Sequence, residues 1–178
     1  MERHRLRPKD RHTRKGKPGH SICDIDRGLA RFRYPSDWVV KREPGAIHLH
    51  DQEPCVESCD LGVSVFRVPP DRVQEIDLDD ALLGSLDSER KAYYQSEVQR
   101  IARTGLEIIW IEQQYRDAEY DRDARFRVAL ARGPAICLIS LNYWTDRAAD
   151  LEPVWDEVLR SLAMGQYAAD AASGPVIQ

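Results

Sequence analysis

The chain has 178 residues, of which 42% are hydrophobic and 31% charged, and it carries a net charge of −4 at pH 7. This length suits one domain with a sizeable core, and the composition excludes fibrous and collagenous classes. No apolar run approaches the ~20 residues of a membrane-spanning helix, and no apolar stretch follows the basic N-terminus as it would in a secretory signal. We therefore expect a cytoplasmic protein with no membrane span.

The first twenty residues are strongly basic. Residues 1–20 contain eight Lys and Arg residues and two acidic residues, a net charge of +6, whereas the rest of the chain carries −10. Because Leu6 is the only large aliphatic residue there besides Met1, the segment cannot bury enough apolar area to offset the entropy of ordering. We predict a disordered arm that makes at most weak electrostatic contact with a polyanion. The arm has no aromatic residue to stack on bases, which argues against sequence-specific nucleic-acid binding.

Short strand-like segments separated by turn residues follow the arm. Residues 29–34 (LARFRY) alternate in side-chain character and end at Pro35, and the turn dipeptide Pro44-Gly45 separates the next two segments. These patterns predict strands at residues 29–34, 39–43, 46–50 and 61–68.

A helix and three longer strands are predicted next. Apolar residues recur near the helical period from Leu78 onwards, and Asp77 is a suitable N-cap, which predicts a helix over residues 78–95. Residues 97–103 fit either a short strand or the tail of that helix. Three segments rich in Ile, Val, Phe, Tyr and Trp then predict strands at residues 106–115, 124–132 and 135–144.

The last apolar stripe predicts a C-terminal helix. Pro153 fits best in the first turn of a helix running to about Leu162, because the missing N–H has no partner there. We expect one domain at residues 21–165 and a flexible tail at residues 166–178. Hairpin connections dominate, so the fold class is α+β, with a mainly antiparallel sheet of about six to seven strands sandwiched by helices.

The segment FRYPSDW, residues 32–38, resembles the first hairpin of the PsbP-like superfold. This family includes photosystem PsbP subunits, the Ran-binding guanine-nucleotide-release factor and small uncharacterised bacterial proteins, and the resemblance covers residues 29–164. It implies an α/β/α sandwich in which Phe32, Tyr34 and Trp38 pack the turn against the C-terminal helix. It implies no particular activity, because proteins of one fold host many functions.

Motifs of the common enzyme classes are absent from the sequence. There is no G-x-S-x-G, G-x-x-x-x-G-K-[ST], H-E-x-x-H or G-x-G-x-x-G motif. Three of the five histidines lie in the arm, which leaves His48 and His50 as candidates for a general base. Neither has a Ser or Cys nucleophile at a motif spacing, so we expect no enzymatic activity and no cofactor.

One constellation has the chemistry of a metal ligand set. His48 and His50 lie on the same face of a predicted strand, and Cys55 and Cys59 follow in the next loop. Two imidazoles and two thiolates suit tetrahedral zinc, although their spacing matches no familiar zinc motif. The alternative is that the histidines are solvated and the cysteines are free loop thiols.

Three functional hypotheses remain open from the sequence. The first is a non-enzymatic binding or interaction module that binds a protein partner through the sheet or through a groove between sheet and helix. The second is a zinc-binding or hydrolytic protein centred on His48, His50, Cys55 and Cys59. The third is a polyanion-binding adaptor that acts through the basic arm.

Overall fold

Eleven β-strands and three α-helices form residues 18–165, the part of the chain that the computed structural model describes. The strands are β1 (His20–Ile25), β2 (Ala30–Pro35), β3 (Val39–Glu43), β4 (Ala46–His50), β5 (Asp60–Phe66), β6 (Ala92–Gln95), β7 (Gln99–Arg103), β8 (Leu106–Asp117), β9 (Arg122–Arg132), β10 (Ile136–Trp144) and β11 (Ala163–Met164). The helices are α1 (Pro70–Val73), α2 (Leu78–Gly84) and α3 (Ala148–Ser161), and a 3₁₀ turn at Thr145–Arg147 leads into α3.

The strands form two sheets in which all the pairs are antiparallel. The small sheet has the order β1-β2-β11. The large sheet has the order β3-β4-β5-β10-β9-β8-β6, and β7 pairs with β8 on the same side as β6. Hairpins join most neighbouring strands, as the sequence predicted, whereas the pairs β5–β10 and β2–β11 join strands that are far apart in sequence.

Helices pack on both faces of the large sheet. On the face covered by α3, alternate strand residues join the helix in one core whose largest fully buried side chain is Trp155. On the opposite face, α1 and α2 cover a smaller core that includes Leu82, Ile109 and Val128. We call these the α3 face and the α2 face. The predicted α+β sandwich is therefore confirmed, and the sheet contains strands beyond those expected.

The opening aromatic residues pack into the α3-face core. Phe32 is 1% exposed, whereas Tyr34 and Trp38 are half-buried against the same core. The turn is closed by the backbone N–H of Trp38, which donates to the carbonyl oxygen of Pro35 at 3.2 Å. Phe32 thus anchors the turn, and the other two rings cover its edge.

The predicted helix over residues 78–95 is wrong in its second half. Asp77 caps α2 as expected, accepting from the backbone N–H of Asp80 at 3.1 Å, but the helix ends at Gly84. The Ser85 hydroxyl donates to the Leu82 carbonyl oxygen at 2.6 Å, and Asp87 begins a turn by accepting from the Glu89 N–H. Turn chemistry therefore prevails over the helical spacing of Tyr93 and Tyr94, which lie on β6.

The predicted start of the last helix is also wrong. Helix α3 begins at Ala148, so Pro153 lies inside the helix and not in its first turn. The apolar stripe of α3, which includes Leu151 and Trp155, is buried on the sheet on both sides of the proline. Tertiary packing therefore offsets the hydrogen bond that the proline removes.

Most of the expected arm and all of the expected tail lie outside the described residues. Residues 1–17 and 166–178 are not described, and His20, which was assigned to the arm, is already the first residue of β1. Within the ambiguous segment 97–103, residues Gln99–Arg103 form the strand β7. No helix within residues 18–165 is both long and apolar enough to cross a membrane.

Candidate functional site

The two histidines of β4 lie side by side on the α2 face of the sheet. Ile47 and Leu49 are buried in the α3-face core, so strand alternation directs His48 and His50 to the other face. Their rings are nearly parallel, with centroids 6.3 Å apart and an interplanar angle of 12°. The side chains are 28% and 12% exposed, respectively.

Each imidazole is held through its Nδ1 atom. Nδ1 of His48 lies 2.8 Å from Oδ1 of Asp60, and Nδ1 of His50 lies 2.9 Å from the carbonyl oxygen of Cys59. A carboxylate and a carbonyl oxygen can only accept, so both Nδ1 atoms carry the proton. In the neutral rings, both Nε2 atoms therefore keep a free lone pair.

The loop between β4 and β5 is pinned to the rest of the protein. Asp51 accepts from the Cys59 N–H at 2.9 Å and from Nη2 of Arg147 at 2.8 Å. Nε1 of Trp144 donates to the carbonyl oxygen of Val56 at 2.6 Å. These bonds fix which side chains of the loop face inward and which face solvent.

The pinned loop separates the two cysteines. Cys59 is 1% exposed and belongs to the α3-face core, where burial raises the pKa of its thiol to about 12. Cys55 is exposed, with Sγ 3.5 Å from Nε2 of Gln52. Within residues 18–165, no group of three or more His, Cys, Asp or Glu residues is arranged to hold a metal ion. The zinc set predicted from His48, His50, Cys55 and Cys59 does not come together in this arrangement. Both cysteines of the loop are free, as the alternative prediction has them, but Cys59 is buried.

The sequence did not single out Ser140, which the structure places near the histidines. Gly62 lies between His48 and Ser140 in the strand register. A Cβ atom at Gly62 would be 3.0 Å from Oγ of Ser140 and 3.6 and 3.7 Å from Cε1 and Nδ1 of His48. The Nδ1–Cε1 edge of the ring, and not the free Nε2, therefore faces the serine side, so a Ser–His pair for nucleophilic catalysis is not assembled.

A cavity of about 230 Å³ lies between the β4–β5 loop and the end of β10. Its lining includes the exposed Cys55 and the aromatic residues Tyr115, Tyr120 and Trp144. The Tyr115 hydroxyl donates to Oδ1 of Asn142 at 2.9 Å, and the Tyr120 and Trp144 rings meet edge to face at 5.8 Å. The first contact satisfies the Tyr115 hydroxyl, and the second packs two of the lining rings against each other.

A larger and more apolar groove lies on the other side of the sheet, between β7, β8 and α3. We call it the Trp110 groove. Its volume is about 340 Å³, and its lining residues are Ile101, Arg103, Trp110, Asp156, Leu159 and Arg160.

Ring packing forms the floor of the Trp110 groove, and hydrogen bonds close one end of it. The Trp110 ring meets the fully buried Trp155 ring edge to face at 5.8 Å. Arg103 donates to the carbonyl oxygens of Arg160 and Leu159 at 2.6 and 2.7 Å, which ties β7 to the C-terminal end of α3. A positive charge at the C-terminal end of a helix also interacts favourably with the helix dipole.

The strand that borders the groove has an unpaired side. Among the described residues, β7 pairs with β8 alone, over Gln99 to Arg103. Four of its five residues are exposed, and Ile101 is half-buried. The outer backbone N–H and C=O groups of β7 are therefore available to another chain.

Comparisons with known proteins support the fold and identify relatives of unknown role. The sequence model of the Alr1449 family matches residues 21–168. The uncharacterised protein alr1449 of Nostoc sp. (strain PCC 7120) is 31% identical over 159 residues, which cover 88% of this chain and 83% of that protein.

Two solved structures share the fold at low sequence identity. Cyanobacterial PsbP (CyanoP) from Synechocystis sp. PCC 6803 is 15% identical, with a TM-score of 0.57 over 89% of this chain and 99% of that chain. A Bacteroides thetaiotaomicron structure is 10% identical, with a TM-score of 0.54 over 79% of this chain and 46% of that chain. The PsbP-like fold predicted from the FRYPSDW segment is thus confirmed.

Proposed function

The chain belongs to the Alr1449 family and has the PsbP-like fold, and from this premise we propose that it is a non-enzymatic interaction module. Its partner is an extended, acidic segment of another protein that adds to the free edge of β7 and places an apolar side chain in the Trp110 groove. The observation that carries the proposal is the position of this groove directly beside an unpaired strand edge.

The lining of the groove has the composition of an interaction centre. Trp110, Ile101 and Leu159 form its apolar lining. Its charged residues are the exposed Arg103, Asp156 and Arg160. Tryptophan and arginine are the residue types that most often dominate binding energy at protein interfaces. A volume of about 340 Å³ is at the small end of ligand pockets, so the groove suits one anchoring side chain.

The free edge supplies the rest of the contact. An extended segment that pairs with β7 would satisfy the outer backbone groups of the strand, and alternate side chains of that segment would point to the α3 face. Ile101 lies on this face and lines the groove. Backbone pairing would then contribute affinity, and the groove would select the side chain.

The charge of the β7 edge favours a partner segment of the opposite charge. The segment Gln99–Arg103 contains no acidic residue. Arg100 already pairs with Asp79 and Glu107, whereas Arg103 donates to uncharged carbonyl groups and supplies the positive charge of the edge. Opposite charges on paired strands stabilise the pairing. The basic segment of residues 1–17 has the same sign as this edge. We therefore propose another protein, and not the arm, as the occupant. The cytoplasmic location expected from the sequence remains part of the proposal, and cell fractionation tests it.

Photo-crosslinking from the edge tests the proposal. A photoreactive phenylalanine derivative replaces the exposed Gln99 on β7, and a matched control carries it at the exposed Lys41 on the opposite edge strand β3. In cells of the source organism, we expect position 99 to crosslink to one protein that position 41 does not capture. This crosslink should disappear when Ile101→Glu is added. No product at position 99, or a product that survives Ile101→Glu in a folded protein, would contradict the proposal.

A further inference from the structure

We propose that His48 and His50 form a two-imidazole site for a divalent first-row transition metal ion. This site lies on the α2 face, so it is independent of the Trp110 groove and of the partner proposed there. It differs from the four-residue zinc set of the sequence analysis because it uses neither cysteine.

The first support is the hydrogen bonding behind the rings. Metal-binding histidines almost always donate their second ring N–H to a carboxylate or a backbone carbonyl, which fixes the tautomer and the ring orientation. His48 donates to Asp60 and His50 to the Cys59 carbonyl oxygen, at 2.8 and 2.9 Å. The ion-facing nitrogen of each ring is therefore Nε2, the atom that neither bond occupies.

The second support is the placement of the rings. They project from one strand two residues apart, lie nearly parallel, and remain partly open to solvent. Metal–nitrogen distances of about 2.0–2.1 Å put two nitrogen ligands of one ion no more than ~4.2 Å apart. The rings, whose centroids are 6.3 Å apart, must therefore turn about their Nδ1 hydrogen bonds to bind one ion.

The remaining ligands of the ion are water molecules. No third His, Cys, Asp or Glu residue within residues 18–165 is placed to complete a ligand set. On the Nε2 side of His48, Oε2 of Glu43 lies 3.9 Å from this nitrogen, and the Glu43 side chain is 65% exposed. Its carboxylate balances part of the positive charge of a bound ion.

The chemistry of the two ligands selects the metal. Imidazole suits copper, nickel and zinc, and the affinity of a nitrogen site for divalent ions peaks at Cu²⁺. The Cys59 side chain is buried in the α3-face core, on the other face of the sheet from the two imidazoles, so its thiol does not compete for the ion. We therefore expect Cu²⁺ to bind more tightly than Ni²⁺ or Zn²⁺.

Copper titration of the full chain tests the site. His4, His12 and His20 are replaced by alanine, which leaves His48 and His50 as the only histidines. We expect one Cu²⁺ per chain by calorimetry and two imidazole nitrogens in its electron paramagnetic resonance spectrum. The proposal is overturned if this protein shows no saturable binding of one ion.

Two variants separate the ligands from the surrounding structure. His48→Gln and His50→Gln each keep a side-chain N–H for the acceptor behind the ring and remove the ligand nitrogen. We expect each to weaken Cu²⁺ binding at least about tenfold with an unchanged thermal midpoint. Unchanged affinity in both variants would overturn the proposal.

A third variant tests Asp60 as the residue that positions His48. Asp60→Asn should weaken binding about 10- to 100-fold, as loss of a group behind a ligand typically does. The control Asp79→Asn alters an exposed carboxylate that pairs with Arg100 and should leave copper affinity unchanged. Equal effects of the two changes would show general electrostatic attraction of the ion and would overturn the assigned role of Asp60.

Discussion

Nε of Arg127 donates to Oε2 of Glu112 at 2.7 Å between the sheet and α3, and each residue is only 7% exposed. Glu152 of α3 joins this pair, since its Oε1 lies 3.1 Å from Nη2 of Arg127 and 2.8 Å from Nη1 of Arg125. Two arginines and two glutamates therefore balance each other in a region that excludes most solvent.

Removal of one member of this network should strongly destabilise the fold. Glu112→Leu leaves Arg125 and Arg127 with Glu152 alone, so one buried positive charge lacks a partner, and we expect a loss of about 3 kcal/mol. The double change Glu112→Leu with Arg127→Met leaves Arg125 paired with Glu152 and should recover most of that loss. Urea unfolding of the three proteins measures both effects. Equal stability of the single and double variants would mean that the charge balance is unimportant.

The buried charges could have been found in the sequence. Glu112 interrupts an apolar strand, and Arg125 and Arg127 alternate along the next strand, a pattern that places them on one face of paired strands. The exact partners depend on register and on α3, which supplies Glu152 from a distant part of the chain. Strand alternation likewise predicts that His48 and Ile47 lie on opposite faces of the sheet. The contact of His48 with Asp60 depends on strand register and could not be predicted.

The turn around Pro35 yields a second stability prediction. Phe32→Ala removes a fully buried ring and should lower the free energy of unfolding by about 3–5 kcal/mol. Trp38→Ala should cost less, because Trp38 is half-buried at the edge of the core. The urea midpoints of the two variants make the comparison. A larger loss for Trp38→Ala would reverse the roles that the structure assigns to the two rings.

The cysteines should differ sharply in reactivity. Cys23, Cys59 and Cys137 are each at most 4% exposed, whereas Cys55 is exposed. A thiol reagent should therefore label one cysteine in the folded protein and all four after denaturation, and Cys55→Ala should abolish the native labelling. Rapid labelling of Cys59, or its protection by stoichiometric zinc, would contradict the placement of Cys59 in the core.

Alkaline pH should destabilise the protein through the same buried thiols. Burial raises the pKa of Cys23 from 9.0 to about 11, and that of Cys59 and Cys137 from 9.0 to about 12. The unfolded chain thus loses these protons first, so the stability is fully present below pH 9 and declines as the pH rises towards 12. Each thiol contributes a slope of up to about 1.4 kcal/mol per pH unit.

Denaturant unfolding between pH 8 and 11 measures this decline. Cys59→Ala should reduce the slope, and the matched change Cys55→Ala, at an exposed thiol, should leave it unaltered. An identical slope in Cys59→Ala and in the unaltered protein would show that the Cys59 thiol titrates alike in the folded and unfolded states.

The affinity of the purified chain for the protein captured at position 99 tests the central claim most directly. Calorimetry compares the unaltered chain with Ile101→Glu, which places a charge in the Trp110 groove, and with Leu83→Glu, which alters a 46% exposed apolar residue on α2. We predict that Ile101→Glu weakens binding at least about tenfold, equivalent to ~1.4 kcal/mol, and that Leu83→Glu leaves it unchanged. Equal affinity of all three proteins would contradict a partner site at the groove.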